Sequence, residues 1–254
     1  MKIAAIAFNT FREAIRDRIL YSLLAFALAM LGGSVILSTL SVGGEARIIK
    51  DLGLAAIGLV GTLIAVFIGV GLVYKEVERR TLYTIITKPI RRLDFIVGKF
   101  LGLGLTLAVS VAIMAVGLLL LASPIEARLT WELLLPVALT FLKLMVVTAI
   151  AVLFSTFSTP TLSAIFTLAL VVVGSLAEDL KLFASTFGGP VLQTALVALY
   201  LVLPNLATLD IGGRVVHGLP VPAAAAGLAA AYALTYVAAL LAAAVWIFQY
   251  RDFK

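Results

Sequence analysis

The sequence predicts an all-α polytopic membrane protein, and three observations carry that expectation. Hydrophobic residues make up 63% of the 254 positions and charged residues only 13%. Mean hydropathy is +1.19, so a soluble globule of this size would lack the polar surface to cover itself. Six apolar segments, at 19–40, 52–74, 97–121, 131–154, 160–177 and 222–248, approach or exceed the about 20 residues that cross a hydrocarbon core at about 1.5 Å of rise per residue. The net charge of +6 lies mostly at span ends, where basic residues set orientation and meet anionic headgroups. That placement argues for a membrane surface and against nucleic acid as the basic residues' partner. Cysteine is absent, which excludes disulfides, thiolate nucleophiles and Cys-ligated metals.

The chain reads as one domain, 1–254, opening on an interfacial helix over 1–18. There Ile3, Ile6, Phe11, Ala14 and Ile15 alternate at helical spacing with Asn9, Arg12, Glu13, Arg16 and Asp17. A cleaved signal peptide would need a short basic leader and a small-residue cleavage site, so this segment is expected to be retained. In the second span Gly61, Ala65 and Gly69 recur every fourth residue, and Gly98 and Gly102 do so at the start of the third. Such stripes let helix backbones approach closely. Packing is the expected role, although the same residues line substrate paths in some transporters.

Lys143 falls near the middle of the fourth span, where a charge costs about 2.5–3.5 kcal/mol on insertion scales. Either it faces a polar cavity or an intramembrane acid, or it snorkels from a span kinked or shifted after Pro136. No acidic residue lies in the core of another span to pair with it. The fifth span is short but sharply opened, with Ser158 or Thr159 available as N-cap and Pro160 where a missing N–H costs nothing. The stretch 178–221 is expected to be extracytoplasmic. Within it Val191–Leu203, bracketed by Pro190 and Pro204, is too short at 13 residues to cross, which favours a re-entrant or interfacial segment.

Between the second and third spans lies a charged island, Tyr74–Lys99. It holds seven of the 19 basic residues: Lys75, Arg79, Arg80, Lys88, Arg91, Arg92 and Lys99. Over Glu76–Ile86, polar Glu76, Arg79, Arg80 and Tyr83 face away from apolar Val77, Leu82, Ile85 and Ile86. This pattern suits a short helix along the membrane surface that Pro89 ends. Acidic and apolar residues interleaved with the basic ones favour a docking surface over a merely solvated loop.

No catalytic constellation is present. A His-Glu-x-x-His pair, a Gly-x-Ser-x-Gly elbow and a Gly-x-x-x-x-Gly-Lys-Ser/Thr phosphate loop are all missing, and Gly98-Lys99-Phe100 lacks the upstream glycine and the hydroxyl residue. His217, the one histidine, lies in LDIGGRVVHGLP and cannot by itself form a conventional metal site. Asp210 and Arg214 beside it suit a turn or cap as well as a ligand.

The island's order of residues resembles the first cytoplasmic loop of permeases in the ATP-binding cassette type-2 superfamily. The matching positions are Glu76 and Glu78, Thr81, Pro89, Arg91 and Arg92, Phe95, Gly98 and Lys99. The likeness extends to the amphipathic N-terminal helix, six spans, the turn Phe154–Ser158, the Leu203–Asn205 stretch and the ending IFQYRDFK. Within the superfamily the chain looks nearest the small permeases grouped with the copper-processing transporter of nitrous oxide reductase maturation.

The resemblance implies a non-catalytic permease of a bacterial or archaeal plasma or inner membrane, acting as an exporter. It further implies a separate ATPase that binds ATP and Mg, and a second permease copy, identical or paralogous. This chain itself would bind no cofactor. The coupling loop, 75–95, would dock in the ATPase through Glu76, Glu78, Arg79, Arg80, Thr81, Tyr83, Pro89, Arg91 and Arg92. Two alternatives stay open. A secondary carrier or channel would need a coupling-ion site, for which Lys143 is the one intramembrane charge. A mechanical subunit would instead transmit ATPase-driven motion to an extracytoplasmic partner.

Basic residues set the expected orientation. With the N-terminus cytoplasmic, 13 of the 19 lie inside (Lys2, Arg12, Arg16, Arg18, the seven of the island, Arg251 and Lys254) and five outside (Arg47, Lys50, Arg128, Lys181 and Arg214). Both termini and the island are therefore expected in the cytoplasm. Because the chain is free of cysteine, Lys88→Cys and Lys181→Cys test this directly. In intact cells an impermeant thiol reagent should label the second variant and spare the first; the reverse pattern would invert the topology.

Overall fold

The computed structural model describes residues 2–41, 44–78, 91–126, 130–177 and 203–250, with side chains omitted at 72–78, 126 and 250. Among them the chain is helical with no strand. The helices are α1 (Lys2–Ile15), α2 (Arg18–Ser38), α3 (Glu45–Glu78), α4 (Arg92–Glu126), α5 (Leu134–Ser155), α6 (Pro160–Ser175), α7 (Gly212–Val216) and α8 (Ala223–Tyr250). Five of them (α2, α3, α4, α5 with the 3-10 turn Trp131–Leu133, and α8) are long and apolar enough to cross a membrane. The remaining apolar segment, the fifth, forms a helix of 16 residues, about 24 Å long against a hydrocarbon core of about 30 Å. The six expected spans are thus five full-length helices and one short one. The segment 191–203, expected to be re-entrant, lies almost wholly outside the described residues.

Two helices outrun the hydropathy pattern. α3 has 34 residues, about 51 Å, and α4 has 35. Hydropathy reports only their uncharged middles, while the backbone continues past the membrane boundary with charges at the ends, Glu45 to Asp51 and Lys75 to Glu78 in α3. Glu76 and Glu78 are therefore on the final turn of the second span's own helix. Between α1 and α2 the chain turns at Asp17, whose extended backbone (φ −75°, ψ 126°) and side chain, accepting from the Ile19 N–H at 3.0 Å, cap α2. At the start of α6 Thr159 holds the N-cap position with Pro160 following, but its side chain makes no capping bond; the proline and the extended backbone open the helix.

α5 is the centre of the bundle, packed against α3, α4, α6 and α8. Every residue from Val146 to Val152 is buried, the mark of a helix enclosed on all sides. α2 and α8 are peripheral and turn large apolar side chains outward, Phe26, Ile36, Leu234 and Trp246 among them. Buried hydroxyls bond back to their own helices: Thr62 to the Gly58 carbonyl (2.7 Å), Thr106 to Gly102 (3.0 Å), Thr148 to Leu144 (2.8 Å) and Thr167 to Ser163 (2.6 Å). With no water to accept them, this is how hydroxyls survive in a membrane interior.

Small residues set the helix spacings. A Cβ on Gly61 would collide with Leu144, and one on Gly69 would touch the Ala151 Cβ at 3.4 Å, so that stripe lies on the α3–α5 contact, with Ala65 buried between. The stripe on α4 faces α1 instead. A Cβ on Gly98 would lie 2.7 Å from Ile6, and one on Gly102 would lie 2.5 Å from the Ala7 carbonyl oxygen. The amphipathic helix is thus seated on protein through its Thr10 and Ala14 face, with Phe8 left exposed.

Gly102→Ala should therefore lower thermal stability in detergent by an amount typical of overpacking, about 1–3 kcal/mol. Gly58→Ala, where nothing lies within 4 Å of the added Cβ, should leave it unchanged or raise it slightly. Equal melting temperatures for the two variants would show that α1 is not held by this contact.

Candidate functional site

Two polar clusters stand out among the described residues. The first gathers the ends of three helices. Arg92, at the start of α4, donates through Nη1 to the carbonyl of Phe248 and, at 2.8 Å, to that of Gln249. These belong to the last turn of α8, whose carbonyls have no partner within the helix and carry the negative end of its dipole. The guanidinium carbon lies 5.7 Å from the Phe248 ring centre, and Phe95 stacks on the same ring at 6.0 Å. One turn further along α4, Lys99 is 1% exposed, with its Nζ 3.8 Å from Glu13 Oε2 of α1. The N-terminal helix, the start of α4 and the end of α8 therefore meet at one end of the bundle.

Of the island residues singled out from sequence, Arg91 and Arg92 belong to this cluster's segment, and Arg91 is exposed. Glu76 and Glu78 are on the end of α3, without described side chains. Arg79, Arg80, Thr81, Tyr83 and Pro89 lie outside the described residues. The grip of Arg92 on α8 was not legible in the sequence, because the island offers several equivalent basic residues and the pairing spans more than 150 positions.

The second cluster surrounds Lys143. Its Nζ donates to Asp210 Oδ2 at 3.0 Å. Lys143 is about 14 Å along α5 from Leu134, so the Asp210 segment reaches into the bundle to meet it. The sequence reading found no acid in another span, and none is needed: the acid comes from the connection between α6 and α8.

The described part of that connection, from residue 203 onward, is held by several hydrogen bonds. The Leu206 N–H donates to the Gly174 carbonyl at 3.0 Å, and the missing side chain of Gly174 admits the Pro204 carbonyl, which a Cβ would meet at 2.5 Å. The Asn205 N–H donates to Tyr232 Oη at 2.8 Å, while its own carbonyl accepts from Thr208 Oγ1 at 2.9 Å. These bonds shape the 3-10 turn Ala207–Leu209 that presents Asp210. α7 ends at Val216, and beyond it the positive φ of Gly218, 69°, lets the Leu219 N–H reach the Arg214 carbonyl at 2.8 Å. His217 Nδ1 lies 2.8 Å from the Gly213 carbonyl and is exposed, in keeping with a surface-loop role. Irregular backbone that lines a cavity in this way is the kind a membrane interior tolerates.

The cavity beside the ion pair has a volume of about 820 Å³, lined by Lys143, Asp210, Arg214, Asn205, Tyr232 and Tyr236 together with apolar residues of α5 and α8. A smaller one, about 220 Å³, lies on the α3 side and is bounded by the same Lys143 and Asp210, with Asp51 and Thr140. The ion pair stands between them.

Helices long and apolar enough to cross a membrane, with an open, largely apolar cavity beside one ion pair, define a polytopic membrane protein. A sequence model of the ABC-2 family transporter proteins matches residues 4–253. The chain belongs to that family, and it is a multi-pass transmembrane permease subunit of an ATP-binding cassette transporter. No curated protein matches it.

A double-mutant cycle tests the pair. Asp210→Asn should lower the melting temperature by leaving the Lys143 ammonium unneutralised, Lys143→Met should be neutral or stabilising, and the double variant should recover most of the loss. The coupling should be about 1–3 kcal/mol, toward the lower end because the Asp210 side chain is 59% exposed. Additive shifts would show that the pair contributes nothing.

Proposed function

We propose that the chain is the non-catalytic membrane half of an exporter, driven by a separate ATPase that docks on the charged island and works on a pair of permeases. Family membership implies an ATP-binding cassette ATPase in general. What supports docking at this place is the contact of Arg92 with the end of α8. A force applied to the island enters α3 through Glu78 and α4 through Arg92. From Arg92 it passes to α8, and through Gly98, Lys99 and Gly102 to α1. Packed helix interfaces of this kind shift between discrete arrangements, so the docking segment is joined to the elements that would have to move.

In this reading the island and both termini are cytoplasmic, ATP and Mg reside on the ATPase, and this chain binds neither. Glu76, Glu78, Arg79, Arg80, Thr81, Tyr83, Pro89 and Arg91 form the docking surface, and Arg92 ties it to the bundle. The cavity at Lys143, at the opposite end from the island, is the place for substrate. That cavity favours transport over a purely mechanical subunit, which would not require a space of this size beside a largely enclosed ammonium. Nearness to the nitrous oxide reductase maturation permeases rests on resemblance alone.

The test reverses charge at Glu76 and Glu78 and replaces Thr81 and Tyr83 by alanine. Recovery of the permease–ATPase complex from detergent and its ATP hydrolysis are measured against permease expression. Complex recovery should fall about tenfold or more, as expected when several interface contacts are lost, at unchanged expression. Normal assembly and turnover in the quadruple variant would refute docking through this segment.

A further inference from the structure

We propose that the larger cavity binds an amphipathic anion, whose carboxylate or phosphate takes the place of Asp210 on Lys143 while its apolar tail lies along α5 and α8. The inference rests on the permease reading and gives that site a ligand class. A volume of about 820 Å³ is in the range of small-molecule sites, which combine apolar walls with a few convergent polar groups.

The charges decide the sign of the ligand. Lys143 and Arg214 both line this cavity against one carboxylate, Asp210, and Arg214 pairs with no carboxylate among the described residues. The smaller cavity adds Asp51 to the same Lys143 and Asp210, so an anion is repelled there and favoured in the larger one. Leu139, Leu203, Val221 and Leu228, with small Ala225 and Ala229, supply the apolar wall.

Burial decides which partner gives way. The Lys143 side chain is 13% exposed and fixed to the central helix, whereas Asp210 is 59% exposed and follows a single 3-10 turn. An incoming anion therefore exchanges for Asp210 with the ammonium kept neutralised throughout, which avoids the cost of a bare charge in the bilayer. Withdrawal of Asp210 removes one wall between the two cavities and opens a path from α8 toward α3.

The test uses the full chain alone, in nanodiscs of phosphatidylcholine, so it does not depend on the ATPase. Binding of labelled oleate, oleoyl lysophosphatidate, monoolein, acetate and inorganic phosphate is measured against empty nanodiscs. Oleate or lysophosphatidate should bind saturably. Monoolein, acetate and phosphate should bind about tenfold more weakly or worse, as fits the loss of a charge-assisted contact or of the tail. Preference for lysophosphatidate identifies a membrane phospholipid headgroup as the source, and preference for oleate a carboxylate.

Lys143→Met should lower the affinity of the anionic amphiphile by a similar factor, and Arg214→Gln by a few-fold, whereas Asp210→Asn should match or exceed the unaltered protein. A purely structural ion pair would make the Lys143 and Asp210 variants equally poor. Should Lys143→Met fail to fold, Arg214→Gln, at an exposed position of a short helix, decides. Equal binding of monoolein, headless anions as good as the amphiphiles, or loss of binding in Asp210→Asn would each overturn the proposal. Loss of ATPase docking in the island variant leaves this measurement unaffected, so the two readings fail separately.

Discussion

The structure depends on one constraint: inside the bilayer there is no water to satisfy a polar group. The polar contacts of the bundle interior are answers to it. The hydroxyls of Thr62, Thr106, Thr148 and Thr167 take carbonyls of their own helices. The last carbonyls of α8 are taken by Arg92, and the ammonium of Lys143 by Asp210. These contacts also decide where elements sit. Arg92 fixes the end of α8 against the start of α4, and Lys143 draws the connection before α8 into the bundle.

Apolar packing alone gives little direction in a lipid solvent, since lipid tails are as apolar as leucine. Orientation and spacing therefore come from small residues and the few polar bonds. Gly61 and Gly69 bring α3 onto α5, and Gly98 and Gly102 bring α1 onto α4. A leucine at any of these four positions would push two backbones apart and forfeit dispersion contacts along the whole seam.

The class and most helices were legible because hydropathy and span length are local properties. Helix ends were less so: Glu76 to Glu78 read as the start of a surface helix, whereas α3 continues through them. The stripes of glycine were visible, but their partners were not. Nothing in Gly98 or Gly102 says that the neighbour is α1 rather than another span. The acid for Lys143 escaped for a related reason. A search of the spans for a carboxylate omits the connections, and Asp210 belongs to one. The clues were present as a lone intramembrane lysine and a polar LDIGGR stretch following Leu203-Pro204-Asn205, but only the fold joins positions 67 residues apart.

The arrangement also explains how two distant clusters can act on each other without a special pathway. α3 is one unbroken helix from Glu45 to Glu78. At its charged end it leads into the island, and near its other end Leu54 lies against Gly212, where an added Cβ would sit 3.2 Å from the leucine Cδ1. Gly212 is two residues from Asp210. A rigid helix delivers an axial displacement at Glu78 undiminished at Leu54, about 36 Å away at 1.5 Å per residue. α5, which holds Lys143, is gripped on several sides and resists the same movement. Under the proposed docking, a shift of α3 against α5 would fall on the contact between Asp210 and Lys143. The exposed carboxylate of Asp210 on the more enclosed ammonium of Lys143 joins these elements, so under the proposed docking it is where an ATPase stroke would be converted into the opening or closing of the cavity.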